Sequence, residues 1–286
     1  MFLLPPNLVD RWRRRYWRPT PGTAAFANLR PIVVITGASR GIGRALAGEF
    51  ARGGHALLLV ARTPEALQAV AAELAPTGVI IATHAADLAT SEGCASLEAA
   101  LAAAGAYCDV LVNNAAIGLG GSFCNQPREA ITRLVDLNIV ALTDLTRRFL
   151  PGMLVRGRGG VLNVASLGGL TPGPNEAAYY ASKAYVISLT EALAIETAGQ
   201  GVRICALLPG AVATTFHARM GAERAYYLTL MGVAGPEQVA RAGYRGFRGV
   251  GTLVYPGILH HLNAVALRIL PHWLMLPVIG WMLRQR

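Results

Sequence analysis

Tyr179 and Lys183 are the residues of this sequence whose types and spacing most directly suggest chemistry. Lys183 is the only lysine in the chain, and the remaining 25 of its 26 basic residues are arginines. A compact ammonium can stay close to a phenol, whereas a planar guanidinium fits such a site less easily. Residues four positions apart lie on one face of a helix, which makes Tyr179 and Lys183 neighbours. Tyr180 and Tyr185 do not have this spacing to the lysine.

A tyrosine beside an ammonium is a candidate acid–base group. A free tyrosine has a pKa of about 10 and is a poor base at neutral pH. A nearby positive charge favours the phenolate, so we expect Lys183 to lower the pKa of Tyr179. The phenol could then give a proton to a carbonyl oxygen or take one from an alcohol.

A glycine-rich turn stands between an apolar run and a helical pattern near the start of the chain. In "VVITGASRGIGRAL" the glycines are Gly37, Gly41 and Gly43. At such a turn backbone N–H groups can approach a pyrophosphate, whose charge the helix dipole also stabilises. The glycine–lysine–serine or threonine ending of a nucleoside-triphosphate loop is absent.

The position that discriminates between the two nicotinamide dinucleotides carries no acid. An acid about twenty residues after the turn holds the 2′-hydroxyl of NAD, but this sequence has Ala61 followed by Arg62. Arg40 lies inside the turn itself. Two arginines without an acid fit a 2′-phosphate and predict NADP(H). The alternative is that both arginines are solvated surface charges.

From Pro31 onward, apolar runs alternate with helical patterns. Seven runs read as strands, namely "IVVI", "ALLLVA", "VIIATHAAD", "DVLVNNAA", "GGVLNVAS", "VRICALLPG" and "TLVYPG". Strands that are apolar throughout, joined by helices, imply a parallel sheet covered on both faces. The sequence therefore predicts one doubly wound, Rossmann-type α/β domain over 31–257. An N-terminal extension, 1–30, and a C-terminal tail, 258–286, flank it.

In order and separation these motifs resemble those of the short-chain dehydrogenase/reductase family. The stretch "TGASRGIG" (36–43) matches the cofactor turn, and "PGAVATT" (209–215) matches the segment that folds over the nicotinamide. The stretch "NNAA" (113–116) matches Asn-Asn-Ala-Gly, with Ala116 in place of the glycine. The positions of the family's catalytic residues are taken by Asn138, Ser166, Tyr179 and Lys183. The resemblance covers the predicted domain.

The resemblance implies a role for each of these residues. Tyr179 would be the acid–base group, and Ser166 would hydrogen-bond the reacting oxygen. Asn138 would anchor a water in the proton relay, and Lys183 would also hold the nicotinamide ribose. The implied cofactor-binding residues are Gly37, Ser39, Arg40, Gly41, Ile42, Gly43, Arg62, Asp87, Leu88, Asn114, Tyr179, Lys183, Pro209, Gly210, Val212 and Thr214. Thr214 would bind the nicotinamide carboxamide or cap a helix, and both readings stay open.

The segment from about 215 to 234 corresponds to the family's substrate lid. Its larger apolar residues could line a pocket or pack the lid onto the domain, and they are Phe216, Met220, Tyr226, Tyr227, Leu230 and Met231. We therefore predict an NADP(H)-dependent enzyme that interconverts a ketone and a secondary alcohol, in the reductive direction. The predicted substrate is lipophilic, of the fatty-acyl, steroid or terpenoid kind.

Two other functions compete with this one. The first is an NAD-linked alcohol dehydrogenase. Measuring the affinities for NADPH and NADH would distinguish it from the reductase. The second is a dinucleotide-sensing or scaffold protein without catalysis. The four intact catalytic positions argue against a sensor, because a sensor does not need all of them.

The charge of the chain is concentrated at its two ends. Of the formal net charge of +10, residues 1–20 carry five arginines and one acid, and residues 238–286 carry six arginines and no acid. The body between them is neutral, which argues against nucleic-acid binding. The ends are also apolar and aromatic, with Leu8, Trp12 and Tyr16 on one stripe of a predicted N-terminal helix. An anionic membrane surface and packing on the protein are both open for these segments.

The remaining predictions concern compartment and assembly. The four cysteines, Cys94, Cys108, Cys124 and Cys205, form no CxxC pair, which is typical of free thiols in a reducing compartment. The six histidines show no metal-ligand spacing, and we interpret them as structural or interfacial. The expected location is the cytoplasm. Peripheral attachment to the inner face of a membrane is a further hypothesis. The family resemblance implies a homo-oligomer, a dimer or tetramer.

Overall fold

The computed structural model describes residues 26, 28–222, 225–230 and 232–284. The predicted N-terminal helix, with Leu8, Trp12 and Tyr16, lies outside these residues, as does Met231 of the lid. All four cysteines are described, and all are free thiols. No helix in the described ranges is both long enough and apolar enough to cross a bilayer.

The described chain forms one parallel sheet of seven strands in the order β3-β2-β1-β4-β5-β6-β7. The strands are β1 Arg30–Thr36, β2 Leu57–Ala61, β3 Ile81–Ala85, β4 Ala106–Asn113, β5 Gly159–Val164, β6 Val202–Leu207 and β7 Leu253–Val254. The order reverses between β1 and β4, and ligands of such sheets bind at this point, outside the carboxyl ends of the strands. The predicted doubly wound parallel sheet is confirmed.

The helices connect these strands and extend the chain beyond β7. They are α1 Gly41–Arg52, α2 Pro64–Leu74, α3 Ser91–Ala103, α4 Arg128–Val135, α5 Leu142–Arg156, α6 Ala177–Glu196, α7 Phe216–Arg219, α8 Tyr226–Leu230, α9 Pro236–Arg248, α10 Ile258–Ile269 and α11 His272–Met282. Short 3₁₀ turns occupy Ala75–Thr77, Phe123–Asn125 and Leu167–Leu170. The tail of the chain is thus two further helices.

The two faces of the sheet are buried in separate apolar cores. Val33 and Ile35 of β1 pack with Leu46 and Phe50 of α1 on one face. Ile32 and Val34, the alternate residues of β1, lie in the core of the opposite face with residues of α3 and α5. Because successive strand residues point to opposite faces, a strand covered on both sides is apolar throughout. This is the reason that the strands show no polar alternation in the sequence.

A π-helical turn, Asp136–Ala141, lies between α4 and α5. From there α5 continues to Arg156. Single π turns inside helices occur frequently at functional sites. Asn138 lies in this turn and is buried.

Candidate active site

A cavity of about 620 Å³ lies beyond the carboxyl ends of the strands. It is lined by most of the residues that the sequence nominated, namely Gly37, Ser39, Arg40, Gly41, Ile42, Arg62, Asp87, Leu88, Asn114, Ser166, Tyr179, Lys183, Pro209, Gly210, Val212 and Thr214. Gly43 and Asn138 are absent from its wall. The chain therefore brings the glycine-rich turn and the tyrosine–lysine pair to one space.

Tyr179 and Lys183 lie one turn apart on α6. The Lys183 ammonium is 5.8 Å from the centroid of the Tyr179 ring and donates a hydrogen bond to the Val164 carbonyl at 2.8 Å. The residue is only 4% exposed, and burial lowers the pKa of Lys183 to about 8. The Lys183 side chain therefore lies in a buried space beside Val164, the last residue of β5. A narrow ammonium on a flexible side chain suits such a space.

The pKa of Tyr179 differs in direction from the sequence expectation. Burial, followed by the charge of Glu176, raises this pKa above its ordinary value, and the hydrogen bond with Ser166 opposes the rise only in part. The expected lowering of the pKa of Tyr179 is therefore wrong in direction, because burial removes the hydration that would stabilise the phenolate. Tyr179 is therefore a protonated phenol at neutral pH.

Ser166 follows β5 and begins the 3₁₀ turn Leu167–Leu170. Its hydroxyl oxygen accepts a hydrogen bond from the Gly168 N–H at 3.1 Å, and the hydroxyl is 3.5 Å from the Pro209 carbonyl. The contact with Gly168 holds the oxygen in place, while the distance to Pro209 is too long for a strong bond. The hydroxyl proton is thus available to another acceptor near Tyr179.

Asn138 uses its side chain within the protein. Its amide oxygen accepts from the Ile117 N–H at 2.9 Å, and its amide nitrogen donates to the Ile117 carbonyl at 2.8 Å. The same nitrogen donates to the Ser182 hydroxyl at 3.1 Å, on α6. The side chain therefore joins the loop after β4 to the helix that carries Tyr179.

The glycine-rich turn has the backbone that its residues suggest. Gly37 and Gly41 have φ values of 65° and 53°, in the left-handed region that favours glycine. A Cβ at Gly37 would lie 2.8 Å from the Asn114 amide nitrogen. Gly43 faces the Gly37 carbonyl even more closely. Gly43 thus packs the first turn of α1 against the glycine-rich turn and lies behind the cavity wall.

Asn114 holds this turn from the neighbouring strand. Its amide nitrogen donates to the Thr36 carbonyl at 2.9 Å and to the Gly37 carbonyl at 3.2 Å. The Thr36 hydroxyl accepts from the Asn114 N–H at 2.9 Å. Thr36 was not among the predicted site residues. Its position at the end of β1, next to the glycine-rich turn, explains how it can hold Asn114.

Three arginines lie at the cofactor end of the cavity. Arg40 and Arg62 were nominated, and Arg219 of α7 also lines the wall. Burial, followed by the positive charges of Arg219 and Arg62, lowers the pKa of Arg40. Neighbouring positive charges repel one another, and together they attract an anion. Arg219 was missed because it comes from the lid, far from the other two in sequence.

Asp87 and Thr214 border the same region. The Asp87 carboxylate pairs with Arg133 at 2.7 Å and accepts from the Ala89 N–H at 3.2 Å. The Thr214 hydroxyl accepts from the Phe216 N–H at 3.2 Å, a local turn contact just before α7, whose N-cap residue is Thr215. Its methyl group also faces Gly41 across the cavity. Thr214 thus lies one residue before the N-cap position, and its place in the cavity wall leaves the carboxamide-binding role open.

The lid and the tail form the substrate side of the cavity. Of the predicted lid residues, Phe216, Met220 and Tyr227 line the wall, whereas Tyr226 does not. The tail helices add an apolar wall of Leu259, Ala266, Leu267, Met275, Val278, Ile279, Met282 and Leu283. The tail therefore covers the cavity of its own chain, which agrees with the alternative that this segment packs on the protein.

Histidines also enter the wall, in contrast to their interpretation as structural or interfacial. His217 and His260 both line the cavity, and His217 is hydrogen-bonded to the Tyr227 hydroxyl at 2.7 Å. Burial lowers the pKa of both imidazoles, so that they are neutral near pH 7. Within the described ranges no three His, Cys, Asp or Glu side chains are arranged to hold a metal ion.

The arrangement agrees with comparisons to known proteins. Residues 31–225 match the family model described as short chain dehydrogenase. The chain is 34% identical to "Ketoacyl reductase HetN" of Nostoc sp. over 78% of this chain and 77% of the relative.

Two solved structures share the fold at clear sequence identity. A short-chain dehydrogenase from Sphingobium yanoikuyae, in complex with NADPH, is 34% identical with a TM-score of 0.73, covering 82% of this chain and 92% of that one. A bulky-bulky ketone specific alcohol dehydrogenase from Comamonas testosteroni is 32% identical with a TM-score of 0.70, covering 81% and 88%. With the sheet order, the cavity and the tyrosine–lysine pair, these matches identify the chain as an oxidoreductase of the short-chain dehydrogenase/reductase family.

Proposed function

We propose that this protein uses NADPH to reduce the ketone of a lipophilic substrate to a secondary alcohol. The observation that carries the proposal is the shared cavity. The glycine-rich turn lines one end of it, and Ser166, Tyr179 and Lys183 line its middle. A dinucleotide on the turn and a carbonyl group beside Tyr179 would occupy one continuous space.

The residues at the cofactor end fit NADP(H). Gly37 and Gly41 line the cavity with left-handed backbone, and backbone N–H groups of this turn would approach a pyrophosphate. Arg40, Arg62 and Arg219 supply a positive cluster for the 2′-phosphate. The Sphingobium relative was solved with NADPH. When bound, NADPH supplies the hydride of the reduction.

The protein groups would supply the proton and hold the reacting oxygen. Tyr179 keeps its proton at neutral pH because burial raises its pKa, so it can donate that proton to a carbonyl oxygen. Ser166 would donate a hydrogen bond to the same oxygen. Lys183 would stabilise the phenolate that remains. Asn138 would act as a positioning residue, through Ile117 and Ser182.

The walls of the substrate side favour a lipophilic ketone. Met220 of the lid and the apolar side chains of α10 and α11 face the cavity. Burial of apolar substrate surface against such walls gains about 25 cal/mol per Å². The Comamonas relative, whose name specifies bulky ketones, supports the same class.

The test is oxidation of NADPH and NADH by the purified full chain against ketones of increasing size. Tyr179→Phe removes the hydroxyl group alone, and we expect it to reduce turnover by roughly 10²–10⁴-fold. Tyr185→Phe is the matched control, since Tyr185 lies on the same helix and bonds Thr143 on the surface. NADPH binding without NADPH oxidation by any ketone, and without NADP⁺ reduction by any alcohol, would instead favour the sensor function. A preference for NADH would favour the NAD-linked dehydrogenase.

We further propose that α10 and α11 attach the enzyme to an anionic lipid surface. Ile258, Ile269 and Trp273 are 81%, 71% and 77% exposed. The segment 238–286 contains six arginines and no acid. An exposed apolar surface with tryptophan and surrounding arginines is typical of interfacial helices.

Sedimentation with vesicles measures this attachment. The full chain should sediment with vesicles that contain phosphatidylserine and less with pure phosphatidylcholine vesicles, and Trp273→Ala with Ile269→Asp should abolish the difference. Val155→Asp, at an exposed valine of α5, is the control. Equal sedimentation of the variant and the wild type would contradict the proposal. Analytical ultracentrifugation of the same samples measures the dimer or tetramer that the family resemblance implies.

A further inference from the structure

Glu176 is a buried carboxyl group in the wall of the substrate side. It lies directly before the first residue of α6, one turn from Tyr179. The residue is only 2% exposed, and it lines the cavity. Its Oε1 atom is buried and has no hydrogen-bond partner. A buried polar atom without a partner costs about 1–3 kcal/mol and calls for an explanation.

The backbone before the helix turns Glu176 inward. Asn175 has a φ of 69°, the only positive φ of a non-glycine residue among those described. Such a conformation is uncommon and is tolerated best by asparagine. The Glu176 N–H bonds the Gly173 carbonyl at 3.0 Å, which closes the turn. The chain thus accepts an unusual conformation next to a carboxyl group that it leaves unpaired.

Other polar side chains surround this carboxyl group. Ionisation of Glu176 would raise the pKa values of Tyr179, Tyr180 and Tyr227, and all three tyrosines line the cavity. Tyr227 in turn is hydrogen-bonded to His217 at 2.7 Å. We call Glu176, Tyr227 and His217 the second polar cluster. It stands apart from the apolar wall that α10 and α11 provide.

The protonation state of the cluster limits what it can bind. Burial raises the pKa of Glu176 to about 8, so that the group is a neutral acid at pH 7. Burial lowers the pKa of His217, which is neutral as well. A neutral acid donates a hydrogen bond through its O–H and accepts through its other oxygen. The complementary ligand group is therefore an uncharged oxygen and not an ammonium or a carboxylate.

We propose that the second polar cluster is a specificity subsite that hydrogen-bonds a hydroxyl or carbonyl oxygen of the substrate, apart from the ketone being reduced. This inference rests on the proposed reductase function. It narrows the substrate to a lipophilic ketone with a second, neutral oxygen: a diketone, a hydroxyketone or an oxo-acyl compound. A site built to hydrogen-bond an oxygen discriminates against an analogue without it, because its own polar groups then remain unpaired.

The experiment compares pairs of ketones of equal size, in which one member carries a second carbonyl or hydroxyl and the other a methylene. The full chain is assayed with NADPH. We expect the wild type to prefer the oxygenated ketone by about tenfold in kcat/KM. Glu176→Leu should reduce this preference to about one, because the oxygenated ketone loses more kcat/KM than the plain ketone does. Glu176→Gln, which keeps a donor and an acceptor, should retain most of the preference.

Two further variants separate a subsite from a structural role. Tyr227→Phe removes one hydroxyl of the cluster and should reduce the preference even if Glu176→Leu fails to fold. Glu196→Gln, at the exposed end of α6, is the matched control and should change nothing. Thermal unfolding of each variant reports whether a loss of activity is a loss of fold.

The outcomes distinguish this inference from the proposed function. If the wild type reduces no ketone, the reductase proposal fails. If it reduces both members of each pair equally, and Glu176→Leu and Tyr227→Phe leave that ratio unchanged, the subsite is refuted while the reductase stands. If Glu176→Gln abolishes turnover of both members, Glu176 takes part in proton transfer and the subsite is again refuted.

Discussion

Tyr226 of the lid stacks on Trp281 of the last helix, with ring centroids 5.0 Å apart and ring planes inclined by 14°. The two residues come from segments that are distant in sequence, and the residue after each of them, Tyr227 and Met282, lines the cavity. Gly280, beside Trp281, also packs close to Pro174, in the loop before α6. The lid, the tail and this loop therefore close the substrate side together.

Removing this stacking should loosen the closure. A stacked aromatic pair contributes about 0.5–1.5 kcal/mol beyond its buried area, so Trp281→Ala should raise KM for a bulky ketone by roughly fivefold. We expect kcat to stay within about twofold, because Trp281 does not contact the reacting groups. Steady-state kinetics without vesicles measure both constants. The control is Trp273→Ala on the same helix, and an equal rise of KM in both variants would contradict the prediction.

Lys183 should not be replaceable by arginine. The ammonium occupies a buried slot and donates to the Val164 carbonyl at 2.8 Å, and a guanidinium group is too large for that slot. We expect Lys183→Arg to reduce kcat by about 10²-fold or more. The reverse change Arg147→Lys, at an exposed residue of α5, should leave kcat unchanged. Near wild-type turnover of Lys183→Arg would show that charge alone suffices.

The arginines of the cavity should determine the preference for NADPH. Arg40→Ala and Arg62→Ala each remove one cation from the cluster, and each should raise KM for NADPH by about tenfold. KM for NADH should change little, because NADH lacks the 2′-phosphate. Arg219→Ala tests the third member, which only the structure places there. Arg52→Ala, at the exposed end of α1, is the control, and a parallel rise for both cofactors would argue against phosphate recognition.

Glu176 should make the stability of the folded protein depend on pH. Its pKa is raised from 4.5 to about 8 by burial, so the folded state binds this proton more tightly than the unfolded state. The stabilising contribution is complete below pH 4.5 and is lost as the pH rises through 8. A tenfold difference in proton affinity between the two states corresponds to roughly 1.4 kcal/mol, and the loss should amount to a few kcal/mol.

Thermal unfolding between pH 5 and pH 8 measures this loss. Tyr179, Tyr180 and Tyr227 face Glu176 and have raised pKa values, so they do not titrate in this window. Two other groups titrate near this window: Lys183, with a pKa lowered to about 8, and His217. The wild type and Glu176→Gln both contain them, so their effects on Tm cancel when the two proteins are compared. The wild type should lose Tm relative to the variant as the pH rises. A constant difference in Tm would mean that Glu176 ionises at its ordinary pKa.

Asn138 should contribute to stability as well as to turnover. Its side chain makes three hydrogen bonds in a buried place, and Asn138→Ala leaves the Ile117 N–H and carbonyl unpaired. We expect the free energy of unfolding to fall by about 2 kcal/mol and kcat to fall with it. Denaturant unfolding and kinetics check both effects, with Asn125→Ala at an exposed turn as the control. Lost activity at unchanged stability would favour a direct role in the proton relay.

The amino-acid sequence by itself determined the architecture and the reacting pair. Uninterrupted apolar strands require a sheet covered on both faces, and the glycine-rich turn falls where the strand order reverses. The spacing of Tyr179 and Lys183 places both on one face of α6 by helix geometry alone. These features depend on local periodicity or on backbone conformation, and a sequence records both directly.

Only the tertiary structure decided the environment of the site. The three arginines, the second polar cluster and the tail helices come together from segments separated by many residues, and no local pattern encodes those distances. Burial reversed the expected pKa shift of Tyr179, because hydration is lost only when the surrounding elements are in place. Glu176 belongs to none of the motifs that the sequence offered. The unusual backbone of Asn175 and the packing of the lid make it a buried, unpaired acid.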